Sequence, residues 1–180
     1  MWLREVSTEN SGRVTVNRRL NPRIWRDGIL DPSVAERLIR IARAFEEFVG
    51  VDFSVEDITL TGSNASFAYN PHSDLDLHLI VKGPFTDEQA ELYKAKKALW
   101  NQEHDLAIAG MPVECYIQDT TEPHYSTGIY SLISRKWLKT PSKAQPAIDD
   151  AAVERKVAYI VDLADRALQG EDLDRLNTLK

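Results

Sequence analysis

Asp74 and Asp76 stand two residues apart in the run Asp74-Leu75-Asp76-Leu77-His78-Leu79. Polar and apolar residues alternate there without a break, which is the pattern of a half-buried strand. On such a strand Leu75, Leu77 and Leu79 face a core, and Asp74, Asp76 and His78 share the opposite face. Two carboxylates held roughly 5 Å apart repel by about 3 kcal/mol at an effective dielectric of about 20. No Lys or Arg occurs between Ile58 and Val81 to relieve that repulsion. A cation that prefers carboxylate oxygen, Mg²⁺ above all, answers the charge. An acidic surface strand is the plainer account of an Asp-x-Asp taken alone, and the flanking residues weigh against it.

Upstream, the apolar run Ile58 to Thr61 ends in Gly62-Ser63. A strand that stops at Gly-Ser and turns into a helix leaves backbone N–H groups for an anion. Gly lets a phosphate approach the backbone, and Ser adds a hydroxyl donor. Most Gly-Ser pairs are simply turns. A Gly-Ser followed about ten residues later by Ser73-Asp74-Leu75-Asp76 is a more specific combination of phosphate and metal chemistry.

That combination, spread over Leu60 to Leu79, resembles the signature of the DNA polymerase beta-like nucleotidyltransferase superfamily, and in particular its small, minimal nucleotidyltransferase domains. The segment Glu122 to Ser131 is also similar to nucleotidyltransferase-domain proteins of tailed phages. One position departs from many minimal domains: where they carry Arg-Gly, this chain has Ser66-Phe67. The departure touches the protein-modifying activity of antitoxin members and leaves the metal ligands alone.

The resemblance implies an α/β (α+β) nucleotidyltransferase fold, with a mixed sheet of four or five strands, helices on one face, and a C-terminal helical segment. It implies transfer of a nucleoside monophosphate from an NTP, expected to be ATP, to an acceptor hydroxyl with release of pyrophosphate. Asp74 and Asp76 would hold two Mg²⁺ ions, with Mn²⁺ as a substitute. The third metal carboxylate of the superfamily lies on a later strand, and Glu114 fits that place. Gly62, Ser63, Asn64, Ser73 and His78 are the expected nucleotide-binding residues, His78 serving equally as support for the carboxylates. The acceptor is left open among an RNA end, a small molecule and a protein. A catalytically silent nucleotide-binding or regulatory module of the same fold is the alternative, and a tethering subunit that binds a partner through its helical tail is a third. The intact carboxylates weigh against a degenerate site.

The rest of the chain must position these groups. Its 180 residues suit one domain with a helical appendage. We expect residues 1–141 to form the nucleotidyltransferase domain with an N-terminal arm, and residues 147–180 a helical segment packed on it or on a partner. The formal charge of −6 disfavours a grip on extended DNA. One cysteine excludes an internal disulfide framework. No apolar run is long enough for a membrane span and no signal-peptide core is visible, so a cytoplasmic protein is expected. The chain ends with little closing polar sequence, as expected of one part of a larger protein.

Val14 and Val16 are candidates for a short edge strand, and Trp25 for packing under the helix that follows. Asp31-Pro32 opens that helix and Gly50 stops it. Arg37, Arg40 and Arg43 lie on its far side and read as solvated. Thr86 and Gln89 form a capping box for a second helix, from Asp87 to about His104. Pro112 to Asp119 alternates again as a strand: Glu114 shares a face with Tyr116 and Gln118, and Cys115 points to the core. Gly128 to Leu138 reads as a strand or hairpin. His124, Tyr125 and Tyr130 are of a type that stacks on a base, and packing explains them equally well. Arg135, Lys136 and Lys139 either meet triphosphate charge or are solvated.

Overall fold

The computed structural model describes residues 16–50, 54–143, 157, 158 and 161. Val14 therefore lies outside the described residues, as does nearly all of the expected C-terminal helix. Val157, Ala158 and Val161 within that segment are helical. The chain divides into two compact units, Met1–Gln145 and Pro146–Lys180. The remainder of this section concerns the first.

Two very short strands come first, β1 (Trp25–Arg26) and β2 (Ile29–Leu30). They pair through Asp27 and Gly28, both at positive φ. An Asp-Gly pair is the residue choice that a two-residue hairpin turn requires. Helix α1 (Pro32–Val49) follows, with Pro32 at its start. Asp31 Oδ1 accepts hydrogen bonds from the Ser33 backbone N–H at 2.9 Å and the Ser33 hydroxyl at 2.7 Å. Gly50 ends the helix in the left-handed conformation, φ 67°, and its N–H bonds to the Glu46 carbonyl. Helix α2 (Asp87–Glu103) carries the full Thr86/Gln89 capping box.

The main sheet contains β3 (Val55–Thr61), β4 (Leu75–Val81), β5 (Ala107–Ile108), β6 (Met111–Asp119), β7 (Ile129–Ser131) and β8 (Lys136–Lys139). Its order is β5-β6-β4-β3-β7-β8. Only β4 and β6 run parallel, so the sheet is mixed as expected. Among the described residues it has six strands rather than four or five. The addition is β5, which turns back on β6 through Ala109 and Gly110, both at positive φ. A two-residue strand leaves too little alternation to be read from sequence.

Leu75, Leu77 and Leu79 are fully buried and join one core with Leu38, Phe45 and Val49 of α1 and Tyr93 and Trp100 of α2. Cys115 belongs to the same core, and burial pushes its thiol up to about 12. The side-chain amide of Asn101, on α2, bonds both the N–H and the carbonyl of Cys115, at 3.1 and 3.3 Å. That clasp fixes α2 to β6 one residue beyond Glu114. Trp25 is buried in the core that includes Val34 and Ala35 of α1. It stacks on Trp137 at 4.6 Å and meets Tyr130 edge-on at 5.1 Å, at the β7–β8 hairpin. Tyr130 is 3% exposed within this cluster, so packing accounts for it and base stacking does not.

Candidate active site

The parallel ladder between β4 and β6 sets Asp76 directly opposite Glu114, and His78 opposite Tyr116. Antiparallel pairing with β3 places Thr61 beside Asp76 and Thr59 beside His78. Asp74, Asp76, Glu114, His78 and Tyr116 therefore occupy the sheet face away from Leu75, Leu77 and Leu79, as period-two alternation requires.

The three carboxylates act on one another. Burial raises the Asp74 carboxyl above its ordinary range, and the Glu114 charge adds to the rise. Asp76 is pushed up to about 7, first by burial and then by Asp74 and Glu114. Lys97, which arrives from α2, pulls the other way. The protein cation missing between Ile58 and Val81 thus comes from a different element. It does not balance the acids, because Asp76 remains far above the usual carboxylate range. Such a cluster of oxygen donors short of positive charge suits a hard divalent cation. Among the described residues, no three His, Cys, Asp or Glu side chains already stand in ligand positions. Glu114 Oε2 instead accepts a hydrogen bond from the Tyr116 hydroxyl at 2.7 Å.

Gly62 adopts φ 72°, ψ −158°, a conformation essentially restricted to glycine. A Cβ built there would lie 1.7 Å from Asp76 Oδ2. The absent side chain is what lets the carboxylate lie against the turn. A one-turn 3₁₀ helix, Ser63–Ala65, follows. The Gly62 N–H is not free: it donates to Ser126 Oγ at 3.1 Å, and Ser126 Oγ donates onward to the Gly128 carbonyl at 2.8 Å.

Asn64 and Ser73, two of the expected nucleotide-binding residues, hold the turn through their own hydrogen bonds. Asn64 is fully buried. Its Nδ2 donates to the Ser73 and Asp74 carbonyls at 3.2 and 2.6 Å, and its Oδ1 accepts from Asn21 at 2.7 Å. The amide ties the Gly62 turn to the start of β4. Ser73 is 6% exposed, and its hydroxyl accepts the Asn70 N–H at 2.9 Å, closing the turn before Asp74. Trp25 Nε1–H secures the same turn from below through the Asn64 carbonyl, at 2.7 Å. Ser66, at the departure from the Arg-Gly pattern, bonds the Ser63 carbonyl through its hydroxyl.

A cleft of about 760 Å³ opens on this face. Its lining runs from Gly62, Ser63 and Asp76 past His78, Tyr116 and Gln118 to the loop of His124, Tyr125 and Ser126. The volume lies within the range that accommodates a nucleotide-sized ligand. His78 stacks on Tyr116 at 4.7 Å, and the Lys97 ammonium lies 3.7 Å from the Tyr116 ring centroid. His78 Nδ1 bonds Gln118 Oε1 at 2.8 Å, which assigns the proton to Nδ1. Burial lowers its pKa to about 4, so the ring is neutral at pH 7. Asp119 lies apart from these acids: its carboxylate accepts backbone N–H bonds from Thr121, Glu122 and Phe85 and closes a turn.

Residues 38–124 match the family model described as a nucleotidyltransferase domain. Over those residues, just under half of the chain, the sequence carries a nucleotidyltransferase domain of the DNA polymerase β-like kind. The match spans Asp74, Asp76, Glu114 and the Gly62 turn. The domain is also similar, at 17% identity and a TM-score of 0.26, to the STING-associated CdnE c-di-GMP synthase from Capnocytophaga granulosa. That alignment covers 66% of this chain and 44% of the synthase, so the chain spans less than half of its relative's length. No curated protein matches the sequence. Among the described residues no helix is long and apolar enough to cross a membrane.

Proposed function

We propose that this nucleotidyltransferase domain transfers a nucleoside monophosphate, from ATP in the first instance, to an acceptor hydroxyl and releases pyrophosphate. The convergence of Asp74, Asp76 and Glu114 on one sheet face beside Gly62 carries this reading. Asp74, Asp76 and Glu114 would hold Mg²⁺, which when bound supplies charge neutralisation and Lewis-acid activation. The protein groups do the rest. The Gly62-Ser63 turn receives the terminal phosphates. Tyr116 holds the Glu114 carboxylate by its hydroxyl. Lys97 offsets part of the carboxylate charge. Neutral His78 packs behind the acids and carries no charge that would compete with a cation. The acceptor is the hydroxyl of an RNA end, a small molecule or a protein.

Incubation with each α-labelled NTP, Mg²⁺ and these three acceptor classes tests the proposal. Label should reach an acceptor with Mg²⁺ and not with EDTA. Nucleotide binding without transfer to any acceptor would instead favour the silent module. An NTP-induced rise in melting temperature that is equal in EDTA and Mg²⁺ would remove the metal from the scheme.

Glu114→Gln separates binding from chemistry. If Glu114 serves the acceptor side, Mg²⁺-dependent ATP affinity should stay within a few-fold. Turnover should fall by on the order of a hundredfold. Affinity and turnover measured on one sample decide it, since a solvated strand Glu would change neither.

A further inference from the structure

A triphosphate brings several negative charges to a site already holding three carboxylates. No Lys or Arg lines the main cleft among the described residues. His78 is turned to Tyr116 and Gln118 rather than to the Gly62-Ser63 turn. Lys97 serves the Asp76 and Tyr116 side. The phosphate end, at Gly62-Ser63, needs a cation from just outside the lining.

Ser126 points to one. Its hydroxyl sits on the Gly62 N–H at 3.1 Å, and its carbonyl accepts the Lys139 ammonium at 2.8 Å. One residue therefore bridges the phosphate turn and a lysine of β8. The loop backbone has little freedom there, since a Cβ on Gly128 would lie 1.9 Å from the Ala65 carbonyl oxygen. The Lys139 head, by contrast, is exposed on a long flexible stem and bonded only to a neutral carbonyl in this contact. Exchanging that carbonyl for a phosphate oxygen keeps a charged donor and adds a charged acceptor, so ion-pair attraction joins the hydrogen bond.

We propose that Lys139 is the residue that binds the terminal phosphates of the nucleotide, and that Ser126 positions it. The Ser126 hydroxyl holds the Gly62 N–H until a phosphate oxygen takes its place. The inference rests on the reading that the triphosphate lies at Gly62-Ser63. Of the three basic residues of the hairpin, Arg135 stands at its turn with φ 57° and Lys136 pairs with Ser131 across it.

The test compares ATP and AMP binding, with Mg²⁺, by the wild-type chain and by Lys139→Met, Lys139→Arg and Lys136→Met. Lys139→Met should weaken ATP by about tenfold or more, each tenfold being about 1.4 kcal/mol. AMP, which lacks the terminal phosphates, should change less than about twofold. Lys139→Arg should recover most of the ATP affinity. Lys136→Met removes the same charge from the same hairpin and should leave ATP within about twofold. Unchanged ATP affinity in Lys139→Met overturns the proposal. So does an equal loss for AMP, or an equal loss in Lys136→Met, which would indicate a general field. A failure of the nucleotidyltransferase reading shows elsewhere, in a wild-type chain that does not bind ATP with Mg²⁺ at all, and this proposal falls with it.

Discussion

Asp76→Asn should abolish label transfer and yet give a more stable protein when metal is removed. Asp76 is the acid pressed hardest by its surroundings. Burial comes first, then Asp74 and Glu114, with Lys97 only partly opposing them. Its folded pKa of about 7 lies above the ordinary 3.8. Between those values the folded chain keeps a proton that the unfolded chain has lost. Metal-free stability must therefore be full below about pH 4 and fall as pH rises toward 7, by at most on the order of 4 kcal/mol. Asn carries no such cost, so the variant should lose most of that slope. Denaturant unfolding in EDTA at pH 5 and pH 8 reads it directly. Transfer with Mg²⁺ should drop by about a thousandfold or more, because the residue sits between both other carboxylates. A variant that keeps transfer within about tenfold, or keeps the wild-type pH slope, would remove Asp76 from this role.

Gly62→Ala should be nearly as damaging, although it removes no functional group. The backbone at φ 72°, ψ −158° costs a non-glycine residue about 1–3 kcal/mol. The added Cβ would also lie inside the Asp76 carboxylate. Either the turn opens or Asp76 rotates away, and displacement by about 1 Å at a reacting centre can cost about a hundredfold in rate. The expected result is a folded, less stable protein with turnover reduced by about a hundredfold or more. Wild-type turnover in Gly62→Ala would show that the carboxylate position against this turn is immaterial.

Much of the frame was legible in the residues alone. Alternation through Leu75, Leu77 and Leu79 identified both the buried and the chemical face of β4. Asp31-Pro32, Gly50 and the Thr86/Gln89 box bounded both helices. Glu114 was singled out by the family resemblance, on a strand whose alternation gave its face, and the parallel register sets it opposite Asp76. Periodicity says which face a side chain occupies and not what reaches that face from elsewhere. Lys97 arrives from α2, and Ser126 from a loop that follows β6, so neither contact has a local signature. The burial of Asn64 and Ser73 and their hydrogen bonds across the turn have no such signature either. The Asp27-Gly28 hairpin did have a local signal, in its residue pair.

The pairing of β4 with β6 gives length changes opposite meanings in different parts of this gene product. The two strands are joined by a crossover, 82–110, whose ends lie in turns. Added residues in such surface connections cost little, because closure entropy grows only slowly with length. Homologues can therefore drift in the length of that crossover, provided that Asn101 still reaches Cys115. Within the ladder from Leu75↔Val113 to Val81↔Asp119 there is no such latitude. A single residue gained or lost before Glu114 would turn that strand over, setting Val113 or Cys115 beside Asp76 and driving the acid into the core. Insertions and deletions should accumulate in this lineage around α2 and be purged from β4 and β6, whatever acceptor each descendant uses.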